Sequence, residues 1–160
     1  MLNVTPEVLL AFMKKQKYEA DIQADTSQVY TILKIDRKEY PLFLRIFEEG
    51  HLLQLLVFIP CPLEKEIVPD MGRLLHLLNK ELDVPGFGMD ETAGVVFYRL
   101  MLPTPGKKID EELLTTFLKT TEQVCKMFSN PIEAVAFGHA TLDEVLKKAQ
   151  EMDKENKNEL

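Results

Sequence analysis

Three histidines, two cysteines and a few spaced carboxylates are the residues of this chain whose types could do chemistry. Their spacing gives them little to work with. Two imidazoles that share a metal on one helix face stand three or four residues apart, whereas His51, His76 and His139 are widely separated. His76 sits among leucines and reads as a packed or half-exposed side chain. Cys61 and Cys125 belong to no CxxC pair and to no His/Cys cluster, so they read as reduced core or surface residues of a cytosolic protein. Asp21 with Asp25, and Asp83 with Asp90, are the nearest approach to a cation site. Each pair lacks the further ligands that a calcium or magnesium framework supplies, and both read as solvated loops.

Gly86 and Gly88 raise the question of a phosphate loop. A dinucleotide fingerprint needs a third glycine and a strand-to-helix context, and this pair leads from a helix into a strand. No nucleophile stands beside a base. The expectation is a protein that is not an enzyme, with no catalytic, cofactor-binding or metal-binding residues and no cofactor.

Charge narrows the partners. The formal net charge is -7, a field that repels phosphate backbones and anionic headgroups. Lys14, Lys15 and Lys17 form the one local basic run, at a helix end where the dipole favours them. Neither nucleic acid nor a membrane is expected as a partner. No strictly apolar run, Leu55 to Ile59 among them, comes near the length needed to span a bilayer. The N-terminus lacks the basic start and apolar block of a secretory signal, and without one the final Lys-Asn-Glu-Leu carries no retrieval meaning. A cytoplasmic protein is expected. At 160 residues the chain is one domain on the usual prior of ~100–200 residues per domain.

The elements follow from period and punctuation. Thr5-Pro6-Glu7 caps and opens a first helix, with Val8, Leu9, Phe12 and Met13 on one face. Residues 18–24 read as a short strand or an extended lead-in. Three strands follow, Val29 to Asp36, Tyr40 to Glu48 and His51 to Ile59, joined by short turns in an antiparallel meander. Pro60 and Pro62 end the sheet segment. A leucine-rich helix spans about Asp70 to Leu82, and Pro85-Gly86 breaks it. A hairpin comes next, with Gly94 at a G1 bulge and Val95 to Leu102 as its second strand. Asp110 caps a long helix that is expected to end at Ser129-Asn130-Pro131. Thr141 and Glu144 form a capping box for a final helix, and the chain from Lys154 onward is expected to fray. The fold class is therefore α+β: helix, three-stranded meander, helix, hairpin, long helix and a further C-terminal helix.

The strands carry the functional argument, because they do not alternate cleanly. Leu42, Leu44 and Ile46 share one face, and Phe43, Arg45 and Phe47 the other. Leu53, Leu55, Val57 and Ile59 oppose Leu52, Leu56 and Phe58, which share their side with Gln54. Val95, Phe97 and Met101 alternate with Val96, Tyr98, Leu100 and Leu102, with Arg99 as the polar exception. An antiparallel sheet normally wets one face. Here both faces are oily, and the helices of one small domain cover one face most easily. Each large side chain left in water forgoes roughly 1.5–3 kcal/mol, and a contiguous patch marks an interaction surface. Phe43, Phe47, Leu56, Phe58 and Arg99 are accordingly the candidates for contact with a partner or a second subunit.

One passage also carries a resemblance. Leu78-Asn79-Lys80-Glu81-Leu82-Asp83-Val84-Pro85-Gly86-Phe87-Gly88-Met89-Asp90 resembles the helix-to-hairpin passage of the YbjN-like proteins, and Val96 to Pro103 resembles their following strand. These proteins share the fold of the class I type III secretion chaperones, and the element order extends the likeness over about residues 5–130. The resemblance implies a chaperone-like domain at 5–130; beyond it the chain departs from the family, and its residues read as a C-terminal helical extension at 131–153 and a disordered tail at 154–160. Chaperones of this fold are small, acidic homodimers that hold an extended effector segment on hydrophobic grooves. It therefore implies a protein or peptide partner and a homodimer. The alternative is a small-ligand-binding or regulatory protein of the YbjN-like group that chaperones nothing.

Overall fold

The computed structural model describes residues 1–158. In chain order the elements are β1 (Leu2–Asn3), α1 (Pro6–Lys15), β2 (Ala20–Ile22), β3 (Val29–Ile35), β4 (Lys38–Phe47) and β5 (Leu52–Ile59). There follow α2 (Val68–Glu81), β6 (Phe87–Asp90), β7 (Val95–Pro103), β8 (Lys108–Ile109), α3 (Glu111–Ala136) and α4 (Leu142–Asn158). Six strands form one antiparallel sheet in the order β2-β3-β4-β5-β7-β6, and β1 pairs with β8 in a small second ladder. The α+β architecture is the one the sequence leads to.

Local chemistry sets the ends of the elements. The Thr5 hydroxyl accepts from Val8 N at 3.4 Å, and the Asp110 carboxylate accepts from Leu113 N at 2.9 Å, each satisfying a first-turn donor. The capping box forms, with Thr141 N donating to Glu144 Oε2 and Glu144 N to Thr141 Oγ1, both at 3.2 Å. Asp36 and Arg37 both take positive φ, 49° and 66°, which makes the β3–β4 link a two-residue turn of the hairpin-favouring type. Gly94 holds φ 68° in the β6–β7 loop, as the sequence expects.

Helices cover one face of the sheet only. Tyr40, Leu42 and Leu44 of β4, Leu53, Leu55, Val57 and Ile59 of β5, and Val96, Tyr98, Leu100 and Leu102 of β7 join one core cluster with Leu9, Met13, Met71, Leu74, Leu114 and Leu118 of the helices. α1, α2 and α3 pack against the strands, and α4 packs on α2 and α3.

Two expectations change. The long helix does not stop at Pro131 but runs through it to Ala136. A proline inside a helix removes one hydrogen bond and costs ~3 kcal/mol. Beyond it, however, Ile132, Val135 and Ala136 are buried, and their burial holds the last turns in register. The expected extension at 131–153 is thus divided, its first residues belonging to α3. α4 continues past 153 to Asn158, so the expected tail at 154–160 is helical as far as that residue. Glu159 and Leu160 lie outside the described residues. The β1–β8 ladder, which ties the N-terminus to the start of α3, has no counterpart in the sequence reading.

Candidate protein-binding face

The opposite face of the sheet is built by the other half of each alternation. Register sets its rows. Tyr30 lies across from Phe43, Phe43 from Leu56, and Leu56 from Arg99. One row away Phe58 lies across from Phe97. On the other side Arg45 pairs with Gln54 and Gln54 with Met101, and Phe47 pairs with Leu52. All five sequence candidates, Phe43, Phe47, Leu56, Phe58 and Arg99, therefore share one surface.

That surface is greasy without being covered. Tyr30, Phe43, Phe47, Leu56, Phe58 and Phe97 are all absent from the side chains packed with the helices. The aromatic residues are half-buried, by one another more than by any roof. Tyr30 and Phe43 have ring centroids 6.1 Å apart, and Phe43 meets Phe58 edge-on at 5.9 Å. Leu56 at the centre is only 8% exposed, while Ile32 and Met101 toward the borders are 40% and 43% exposed. At the sheet's end the Phe97 ring lies over Gly88, where a Cβ would come within 2.8 Å of it.

Two arginines stand in this field. The Arg45 guanidinium lies 5.1 Å from the Phe47 ring centroid and donates through Nη1 to Gln54 Oε1 at 3.2 Å, and its Nε is buried with no partner among the described residues. Gln54, itself buried, donates onward to Met101 Sδ at 3.3 Å. Arg99 is exposed and rides 5.3 Å from the Phe97 centroid. The strand pattern points to Arg99; the partnership of Arg45 with Gln54 depends on register and is not written in it.

One border of the sheet is also unpaired. β2 covers only Val29, Tyr30 and Thr31 of β3. The two-residue turn makes Ile35 and Lys38 a hydrogen-bonded pair, so alternation aims the N–H and C=O of Ile32 and Lys34 away from β4. Among the described residues no strand pairs with this side of β3 beyond Thr31. A cleft of about 330 Å³ runs beside this stretch, lined by Tyr18, Glu19, Ile32, Lys34 and Glu122 among others. Tyr18 donates its hydroxyl to Glu122. Burial first, and then that carboxylate, hold the Tyr18 phenol well above its ordinary value.

The residues with chemical potential elsewhere are scattered or put to structural use. His51, His76 and His139 are all exposed and lie in a turn, on α2 and after α3. Asp90 caps its loop by accepting from Thr92 N and Ala93 N, both at 2.9 Å, and Asp21 accepts from Ile22 N at 2.8 Å. Burial pushes the thiols of Cys61 and Cys125 up to about 12, with Glu133 and Glu122 respectively adding to the effect. Among the described residues no group of three or more His, Cys, Asp or Glu side chains could hold a metal ion, and no helix is long and apolar enough to cross a membrane.

The helix-to-hairpin passage that carries the resemblance has a structural cause of its own. Asn79 accepts from Gly86 N and Phe87 N at 3.1 and 2.9 Å, and donates to Phe87 O at 2.9 Å. Arg99 N donates to Gly86 O at 2.9 Å, and a Cβ at Gly86 would come within 2.5 Å of Arg99 O. The motif is a clamp between α2 and β6.

Comparison with known proteins agrees with this geometry. Residues 5–134 match the family model named YbjN and described as "Putative bacterial sensory transduction regulator". The solved structure described as "YbjN, a putative transcription regulator from E. coli" aligns with TM-score 0.62 at 9% identity, covering 87% of this chain and 96% of that one. The complex of the chaperone SchA with the effector HopA1 aligns at 0.53 with 18% identity, covering 78% and 91%. The ExsC–ExsE complex aligns at 0.52 with 16% identity, covering 80% and 92%. At these identities the likeness is one of fold. A search of curated proteins gives no sequence match.

Proposed function

We propose, from the premise that this chain belongs to the YbjN family, that it is a non-enzymatic, chaperone-like protein-binding module. It holds a peptide or protein partner on the open face of its sheet. The observation that carries this reading is the block of half-buried aromatic and aliphatic side chains, Phe43, Phe47, Leu56 and Phe58, that no helix packs against. A second polypeptide covers it at the gain of roughly 25 cal/mol per Å² of apolar surface removed from water. A partner strand also gains main-chain bonds beyond Thr31, at Lys34, where backbone pairing gives affinity and alternate side chains give selectivity. Two of the similar folds were solved as complexes, one of them of a chaperone with its effector, which supports the same use of this scaffold. The protein works in the cytoplasm, as a homodimer.

The test is recovery of bound protein with the intact chain and with Phe43→Asp or Phe58→Asp. Partner is lost from both variants while their circular dichroism stays native. Retention of the partner by folded variants would falsify the assignment of this face.

The family description names a regulator, and a second reading is a regulatory protein that binds a small ligand. The clefts of about 260 and about 330 Å³ at the sheet border are its candidate sites. A metabolite that raises the melting temperature of the wild type and of Phe43→Asp equally would favour it.

A further inference from the structure

We propose that the segment held on the open face is apolar and acidic, and that Arg45 and Arg99 receive its carboxylates. This rests on the reading of the face as a protein-binding surface and narrows the chemistry of the partner.

The chain carries 26 acidic against 19 basic residues, yet the charged groups in the middle of this face are two arginines. Its acids stand at the border: Asp21 across from Tyr30, Glu39 across from Lys34, and Asp90 across from Val95. Neither arginine is in an ion pair among the described residues, where the bridges found join Lys15–Glu111, Lys38–Glu133, Lys80–Glu81 and Lys107–Glu49. Arg45 makes one hydrogen bond out of the five that its fork can donate. Both guanidiniums are set on aromatic rings, which orients the fork in advance of binding and lessens the entropy lost per bond formed. A carboxylate arriving there makes a charge-assisted, bidentate pair, at Arg45 beside the half-buried Phe43 and Phe47 and at the exposed Arg99 beside Phe97. The two sites are separated by two strands and one side-chain repeat, about 12 Å, a span that an extended segment crosses in about four residues.

Other occupants fit less well. In a two-fold packing of open face on open face each copy presents the same arginines, so a second copy meets like charge. Single-stranded nucleic acid would find stacking rings and cations, but its phosphate backbone would also meet Asp21, Glu39 and Asp90 at the border and the net charge of -7.

The experiment pans a random 12-residue peptide display library against the full chain, then measures representative synthetic peptides by fluorescence anisotropy. Selected peptides are expected to mix aromatic or aliphatic residues with Asp and Glu. Their affinity is expected to fall at least tenfold on Arg45→Gln/Arg99→Gln, and as much when the peptide's acids become Gln. Phe43→Asp abolishes binding. Arg99→Gln alone, at an exposed position, gives the readout if the double variant does not fold. Peptides without acidic enrichment, or indifferent to the arginine variants but lost on Phe43→Asp, would overturn the charge assignment and leave the face in place. Failure to select any peptide that Phe43→Asp abolishes would overturn the reading of the face itself. Sedimentation showing a dimer broken by Phe43→Asp but not by the arginine variants would assign the face to a second copy, and tight binding of a 20-residue single-stranded oligonucleotide would assign it to nucleic acid. Either result contradicts the proposal.

Discussion

The two faces of this sheet are made by neighbouring residues of the same strands, and they differ in what covers them. Leu55 on β5 is fully buried under the helices, while Leu56, the next residue, is shielded only by side chains of its own surface. One face is a core, in which each side chain is fixed by close packing. The other is half of a core. Burial within one chain does not tell whether a surface is finished: Leu56 is 8% exposed, yet among the described residues it lies outside the cluster packed with the helices.

The comparison breaks most directly on that leucine pair. Leu55→Ala leaves a cavity that the packed helices cannot close, at a cost of about 2–5 kcal/mol. Leu56→Ala lets neighbouring side chains and water close in, at about 1–2 kcal/mol. Urea unfolding measures both, and equal costs would mean that the faces are not distinct.

The second expectation concerns the covered face alone. Glu133 is 5% exposed, is paired with Lys38, and accepts from the Tyr40 hydroxyl at 3.4 Å. Lys38→Met leaves its carboxylate inside without a cation. Because Lys38 is itself part-exposed, the expected cost is about 1–3 kcal/mol, below that of a fully buried pair. Adding Glu133→Gln recovers part of it in a double-mutant cycle.

Alkali sharpens the contrast. Burial raises the Tyr40 and Tyr98 hydroxyls and the Cys125 thiol to about 12. The folded state keeps these protons while the unfolded chain releases them, at the ordinary values of 10.0 for Tyr and 9.0 for Cys. Their contribution is complete below about pH 9 and falls as pH rises toward 12, by up to about 1.4 kcal/mol per pH unit for each group. Melting temperature should decline steadily from pH 9 to pH 11, and Cys125→Ala should make the decline shallower.

The smallest expected effect on stability belongs to the open face. Phe43→Asp changes folding free energy by about 1 kcal/mol, the spread of strand preference at a part-exposed site, while removing the partner. A larger loss would show that Phe43 belongs to the core.

Much of this was legible in the sequence because it is local. Caps at Thr5, Asp110 and Thr141 and the positive φ of Gly94 are written in a few adjacent residues. The run through Pro131 was not legible, since a local rule predicts a stop and only the distant partners of Ile132 and Val135 overrule it. The β1–β8 ladder joins two-residue strands far apart in sequence, and neither has a pattern of its own. For the candidate face, alternation named the residues, but both sides of each strand read as oily. Which side the helices take is decided by packing. The Arg45–Gln54 contact and the Asn79 clamp needed register and tertiary geometry respectively, so the motif could be recognised before its cause.

Whether another polypeptide lies on the open face is tested by site-specific photocrosslinking. A benzophenone side chain is placed at residue 43 in the living cell, and a second one at residue 113, where Leu113 is 48% exposed on the helical side. A discrete protein adduct is expected from position 43 and none from position 113. Adducts from position 113 alone, with position 43 silent in a folded protein, would contradict it.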